Sequence, residues 1–348
     1  MRPCELLQFY MPWPARLNSN IEEARTHSKT WAGELGMLEP GHGRHVIGAW
    51  SEHEFTSMDY AVLTAFTHPD AAPAELNLLT DWYVWASFFD RHVVEKYHRS
   101  SDVDGAKNYL TRLSAFIPID LADGFPAPTN SVERGLADLW ARTAPRRSAD
   151  WRARFARSTQ RLLEGSLWEL ANISQNRVPN PIGYVQMRRK VGGAPWSADL
   201  VEHATGTEIP PEIAHTRSMR VLRHAFADGV HLRRDIFAYQ RDTNDRSALN
   251  NCVYAVEVFF GCTSQEAADL VNNLLTSRLY QFENSVLSEL PAVLDQYNLA
   301  ATAREQVLGY VKGLQDWQAG SHEWHIRSIR NPNFGSRRAP PGRPGAAA

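Results

Sequence analysis

Apolar residues recur three and four positions apart along almost the whole chain, and no series of alternating runs closed by Asn-Gly or Asp-Gly turns interrupts them. That pattern predicts an all-α fold. It is densest in LNLLTDWYVWASFFDRHVVEKY, residues 76–97, whose first two-thirds is apolar on every side. Such a segment predicts a helix in the middle of a bundle, with a polar end that opens somewhere. Ahead of the first helix, expected near Asn20, FYMPWPARLN (residues 9–18) holds two prolines and three aromatics and reads as an extended arm packed on the domain.

Helix boundaries follow from caps and breakers. Asn130 with Glu133, and Thr263 with Glu266, have capping-box spacing, and Ser148 is placed to cap WRARFARSTQRLLEGSLWELANI. NRVPNP ends that helix, IGYVQMRRKV resumes it, and Gly192-Gly193 interrupt it again inside otherwise apolar periodicity. Pro210-Pro211 open a long stretch, and a last helix is expected from about Ala300 to Arg327. Without internal repeats, residues 1–331 are expected to form one bundle of roughly ten helices, and the Pro/Gly/Ala-rich segment 332–348 a disordered tail.

Charge and cysteine content narrow the function classes. Lys plus Arg number 37 against 39 Asp plus Glu, so the net charge of −2 gives no global attraction to nucleic acid or an anionic membrane. Cys4, Cys252 and Cys262 lack metal-type or CxxC spacing and read as packing residues of a reducing compartment. MRPCELLQFYMPWPARLN holds no apolar run between a basic start and a small-residue cleavage site, and nowhere do 18 apolar residues run together, so a cytoplasmic location without membrane insertion is expected.

Two charged clusters interrupt the apolar pattern. In FFDRHVVE, Asp90 and Glu95 are five apart, about 140° around a helix, on one broad side. Both could face a cavity, or Arg91 and Glu95 could form an ordinary i,i+4 pair. In RDIFAYQRD, residues 234–242, Arg234, Ala238 and Asp242 lie on one line, and local physics leaves a charged cavity wall and an internal salt bridge both open. Glu95-x-x-His98 and Glu212-x-x-His215 have di-iron spacing, a short motif that arises easily by chance among 13 histidines.

Several long stretches carry a resemblance: FYMPWPARLN, THPDAAPAELNLLTDWYVW, PTNSVERGLADLWART, SLWELANI, MRRKVGGAPWS and GLQDWQAGSHEWHIRS. Through them residues 5–331 resemble the bacterial class I terpene synthases, most closely the amino-terminal, germacradienol-forming domain of germacradienol/geosmin synthases. The resemblance implies a helical bundle enclosing an apolar pocket, in which three magnesium ions and several basic residues draw the diphosphate off farnesyl diphosphate. It places the first metal motif on Asp90 to Glu95, with Arg91 where a second acid stands. It places the second on Arg234 to Asp242: Arg234 for asparagine, Ala238 for serine, Asp242 for glutamate.

The same resemblance assigns Arg189 to sensing the diphosphate, Gly193 to the helix break, and Trp324 to the cavity wall. Arg241 and Arg330 join Arg189 in binding diphosphate, although Asn331 replaces a tyrosine and Ser87 a phenylalanine. Asp90, Glu95 and Asp242 remain as metal ligands. A guanidinium has no lone pair to offer magnesium, so fewer than three ions are expected, while Arg91 and Arg234 can themselves bind phosphate oxygens. Two functions follow as expectations: a magnesium-dependent sesquiterpene cyclase with a germacradienol-type product, or an impaired relative that binds prenyl diphosphate, as a homodimer or as partner to an active terpene synthase.

Overall fold

The computed structural model describes residues 7–39, 47–98, 100, 102–243 and 249–330. Among these there are fifteen α-helical segments and no strand, an isolated bridge between Leu38 and Trp50 aside. In chain order they are α1 (Ile21–Glu34), α2 (Glu52–Met58), α3 (Tyr60–Thr67), α4 (Pro73–Val93), α5 (Val103–Leu113), α6 (Ser131–Thr143), α7 (Ala149–Ser174), α8 (Pro181–Val191) and α9 (Gly193–Ala204). The rest are α10 (Pro211–Ala214), α11 (Arg217–Thr243), α12 (Cys252–Phe260), α13 (Ser264–Asn284), α14 (Leu290–Gln296) and α15 (Ala301–Arg330). Cys4 and the segment from 332 lie outside the described residues.

The all-apolar helix is the centre, as its pattern predicts. Trp82, Trp85, Phe88 and Phe89 of α4 are all at most 2% exposed. Each such ring removes some 150–250 Å² from water, roughly 4 kcal/mol or more at about 25 cal/mol per Å². The indoles also find acceptors: Trp82 Nε1 donates to Thr143 Oγ1 at 3.0 Å and Trp85 Nε1 to Val132 O at 2.9 Å. Asp81 is carried into this core, where His27 and Arg142 meet its Oδ2, each at 2.9 Å.

Caps follow the sequence with one difference. Thr263 and Glu266 form a reciprocal box, and Ser148 accepts from Trp151 N. Asn130 accepts from Glu133 N, but Glu133 turns its carboxylate to Thr129 N at 2.7 Å and to Arg112. A competing cation thus takes the acid away from the box. The long stretch after Pro210 also divides, because α10 closes at Ala214 and α11 starts at Arg217.

The arm is extended and docked. Phe9 stacks on Phe237, Tyr10 packs on Tyr280 and donates to Glu283 at 2.8 Å, and Trp13 meets Phe282 edge-on. Arg16 bridges Asp70 and Asp316.

Candidate active site

The polar end of α4 runs into a π-turn, Val94–His98, which shifts the register just where Glu95 sits. Glu95 Oε2 accepts from Gly48 N at 2.9 Å, and Arg91 Nε lies 3.3 Å from Glu95 Oε1. Gly48 has φ +81, and a Cβ there would press on the His92 backbone, so this approach needs glycine. Arg91 Nη1 reaches Glu54 Oε1 at 3.1 Å, and its side chain is 20% exposed. Burial pushes the Glu54 carboxyl up, but the Ser51 N–H and Arg91 outweigh it and hold the group below its usual range. Arg91 and Glu95 therefore form the i,i+4 pair, largely withdrawn from water. Asp90, one residue earlier, is half-buried.

The second cluster lies on the last turns of α11. Arg234 Nη1 stands 2.9 Å from Asp235 Oδ1 and 3.1 Å from Asp242 Oδ2. Burial works against the guanidinium charge, but Asp242 and Asp235 prevail and hold its pKa well above the ordinary value. Asp235 is fully buried; its Oδ2 lies 2.6 Å from the Tyr184 hydroxyl and accepts from Cys252 N at 3.0 Å. Asp242 also accepts from Asn251 Nδ2 at 3.1 Å and has Arg241 Nε at 3.6 Å, while Arg241 itself is 62% exposed. Of the two alternatives open in the sequence, the internal salt bridge is realised.

These residues do not fit a full magnesium set. Magnesium takes near-octahedral oxygen, yet Asp242 is engaged by three side-chain cations and amides, Arg234 presents only donors, and buried Ala238 presents no oxygen. Among the described residues no three acidic, histidine or cysteine groups are placed to hold a metal ion. The di-iron spacings fare no better: Glu212 is exposed, His215 has Nδ1 2.6 Å from Pro211 O, and the His98 side chain lies outside the described residues.

The adjacent arginines of MRRKVGG part company. Arg189 is held by Asp228, with Nε 2.9 Å from Oδ1 and Nη2 2.5 Å from Oδ2, and Arg278 shares that acid at 3.1 Å. Arg188 faces the second cluster instead. It is 13% exposed, bonds Glu169 at 2.6 Å, and is opposed by burial but sustained by Tyr184, Glu169 and Asp235. Sequence reading passed over Arg188. The signal was there, since Tyr184, Arg188 and Val191 follow i, i+4, i+7 down one face of α8.

The glycines separate likewise. A Cβ on Gly192 would lie 2.1 Å from His231 Nε2 and 2.5 Å from Arg188 O, whereas one on Gly193 would meet only Leu162 Cδ1 at 3.7 Å. The helix break thus presses Gly192 onto α11 beside Arg188. Trp324 packs edge-on against His325 at 5.0 Å, and His325 stacks on Phe237. The side chain of Arg330 lies outside the described residues. Ser87 shares a hydrogen bond with Tyr60.

The all-helical bundle matches the fold of solved terpene synthases. It superposes on germacradien-4-ol synthase from Streptomyces citricolor with a TM-score of 0.79 at 23% identity, covering 94% of this chain and all of that one. On an α-eudesmol synthase the TM-score is 0.81 at 22% identity, over 92% of this chain and 99% of that one. A family model described as terpene synthase family 2, C-terminal metal binding, matches residues 81–281, and the chain belongs to that family. Among curated relatives, pentalenene synthase of Streptomyces avermitilis is 28% identical over 93% of this chain and 92% of its own. The 4-epi-cubebol synthase of Streptosporangium roseum, named for cyclising (2E,6E)-farnesyl diphosphate, is 25% identical over 94% of this chain and 93% of its own. No described helix is long and apolar enough to cross a membrane.

Proposed function

We propose that this chain receives farnesyl diphosphate or a similar prenyl diphosphate and grips its diphosphate chiefly with arginine, so that metal-driven ionisation is strongly reduced. The observation that carries the reading is that Arg234, which the resemblance sets at a ligand position of the second motif, is bonded to both Asp235 and Asp242. A guanidinium can exchange a carboxylate for a phosphate with the same paired geometry. Arg91, Arg188 and Arg241 complete the grip, with Arg189 and Arg330 at its margin. Asp90, Glu95 and Asp242 are the carboxylates left for metal, fewer than three magnesium ions require. The same reading takes Gly193 at the helix break and Trp324 as part of the pocket wall, as the resemblance implies. Pairing with a second copy, or with an active terpene synthase, belongs to the same reading.

Calorimetry with farnesyl diphosphate in EDTA tests it. Binding is expected to persist without magnesium and to weaken about tenfold or more in Arg188→Gln, with a smaller loss in Arg189→Gln. Gas chromatography of incubations with magnesium is expected to show at most traces of terpene. Binding that requires magnesium, followed by catalytic diphosphate release, overturns the reading. That outcome supports the second reading, a working magnesium-dependent sesquiterpene cyclase (a carbon–oxygen lyase) giving a germacradienol-type alcohol, which family membership and the retained carboxylates of Asp90, Glu95 and Asp242 favour.

A further inference from the structure

Arg233 precedes the second motif, and one residue of helix turns its side chain by about 100° from Arg234, toward α15. It is 1% exposed. The other deeply placed arginines have acids: Arg223 has Asp199 at 2.5 Å, Arg154 has Glu202 at 2.7 Å, and Arg188 has Glu169 at 2.6 Å. Arg233 has no carboxylate among the described residues. Among the described residues its one hydrogen bond is a long one, Nη1 to Gln318 O at 3.5 Å, and Nε and Nη2, which share one edge of the guanidinium, are buried without partners. A buried cation left without compensation is strongly destabilising. Burial pulls this guanidinium down to about 9, so it is still charged at neutral pH.

The neighbouring groups are unsatisfied too. Gln318 Nε2 and Oε1 and His322 Nδ1 are buried with no hydrogen-bond partner. A Cβ on Gly229 would lie 2.8 Å from Gln318 Oε1, so glycine on α11 makes room for the amide. Burial, with Arg233 beside it, pushes His322 down to about 3, and His325 is also held low, so neither imidazole adds charge. Phe9 of the arm covers the cluster, stacked on Phe237 at 4.9 Å and edge-on to His322 at 5.3 Å.

We propose that Arg233, Gln318 and His322 form a buried site for a phosphate-class oxyanion between α11 and α15, under the arm and separate from the grip at Arg234. The Nε and Nη2 edge matches two oxygens of such an anion, and Gln318 Nε2 and an Nδ1–H of His322 supply further donors. Gln318 Oε1 discriminates among anions. It needs a donor, which the P–OH of hydrogen phosphate provides and an ionised carboxylate does not.

Thermal melts and calorimetry with sodium phosphate, sodium acetate and sodium chloride at equal ionic strength and pH 7 test the site. Phosphate is expected to raise the wild-type melting temperature saturably by a few degrees, and acetate and chloride are not. Arg233→Met is expected to lose the phosphate shift and bind phosphate at least about tenfold more weakly, while Arg234→Asn keeps it. Should Arg233→Met not fold, Arg233→Lys, which keeps the charge but lacks the fork, is expected to show the same direction of loss. An undiminished phosphate response in both Arg233 variants, or an equal response to acetate or chloride, overturns the proposal. Farnesyl diphosphate binding measured on the same variants separates this site from the grip: it is expected to survive Arg233→Met and to fall in Arg234→Asn.

Discussion

Replacing Arg234→Asn, Ala238→Ser and Asp242→Glu together puts oxygen where α11 offers nitrogen and a methyl group, and tests the proposed loss of metal there. A guanidinium about 4 Å from a dication opposes it by up to roughly 8 kcal/mol at an effective dielectric near 20. The Arg234 side chain is 36% exposed and has room to withdraw. Taking about a third of the figure leaves ~3 kcal/mol, or about a hundredfold in magnesium affinity. The fold should tolerate the change, because Asp235 keeps the Tyr184 hydroxyl and Cys252 N, and Asn251 still faces position 242. The assay is magnesium titration by calorimetry in the presence of inorganic diphosphate, followed by product analysis with farnesyl diphosphate. Tighter metal binding by about two orders of magnitude and a clear rise in terpene formation are expected. Wild type that already binds magnesium as tightly as the triple variant would refute the electrostatic reasoning.

Two further outcomes test the packing. Gly192→Ala is expected to cost about 2–3 kcal/mol through overpacking, because the new methyl meets His231 and a carbonyl oxygen, whereas Gly193→Ala meets only Leu162 and should melt close to wild type; equal melting temperatures contradict this. His68 is buried beside Tyr83, and burial pushes its imidazole from the usual 6.5 down to about 3. The unfolded chain therefore binds one proton more between those values, so this group withdraws stability as pH falls from 6.5 toward 3, by on the order of 5 kcal/mol in all. Urea unfolding of His68→Gln across that range should show a flatter dependence on pH, and an unchanged slope excludes His68 as the source.

The helical scaffold was legible because its signals are local: the all-apolar run of α4, the Ser148 and Thr263 caps, the breaks at NRVPNP and Gly192. The site was legible only as a set of positions. Sequence spacing put Arg234 and Asp242 on one line, but whether they face each other or a ligand depends on Tyr184, Asn251 and Cys252, which arrive from α8 and from the start of α12. The choice between Arg188 and Arg189 likewise turns on which face of α8 meets α11. Arg233 gave no signal, since an unpaired arginine is recognised only by the absence of an acid across the α11–α15 contact. The lost box at Glu133 has the same origin in Arg112, 21 residues away along the chain.

The docked arm has a consequence for biosynthesis. Tyr10 waits for Glu283, and Arg16 for Asp316, partners 273 and 300 positions downstream. On a ribosome adding about 5–20 residues per second, the arm is thus made long before its partners and finds its place only tens of seconds after it emerges. Until α13 has left the exit tunnel, Tyr10 and Trp13 are sticky aromatics without a berth, which makes the arm a natural handhold for chaperones.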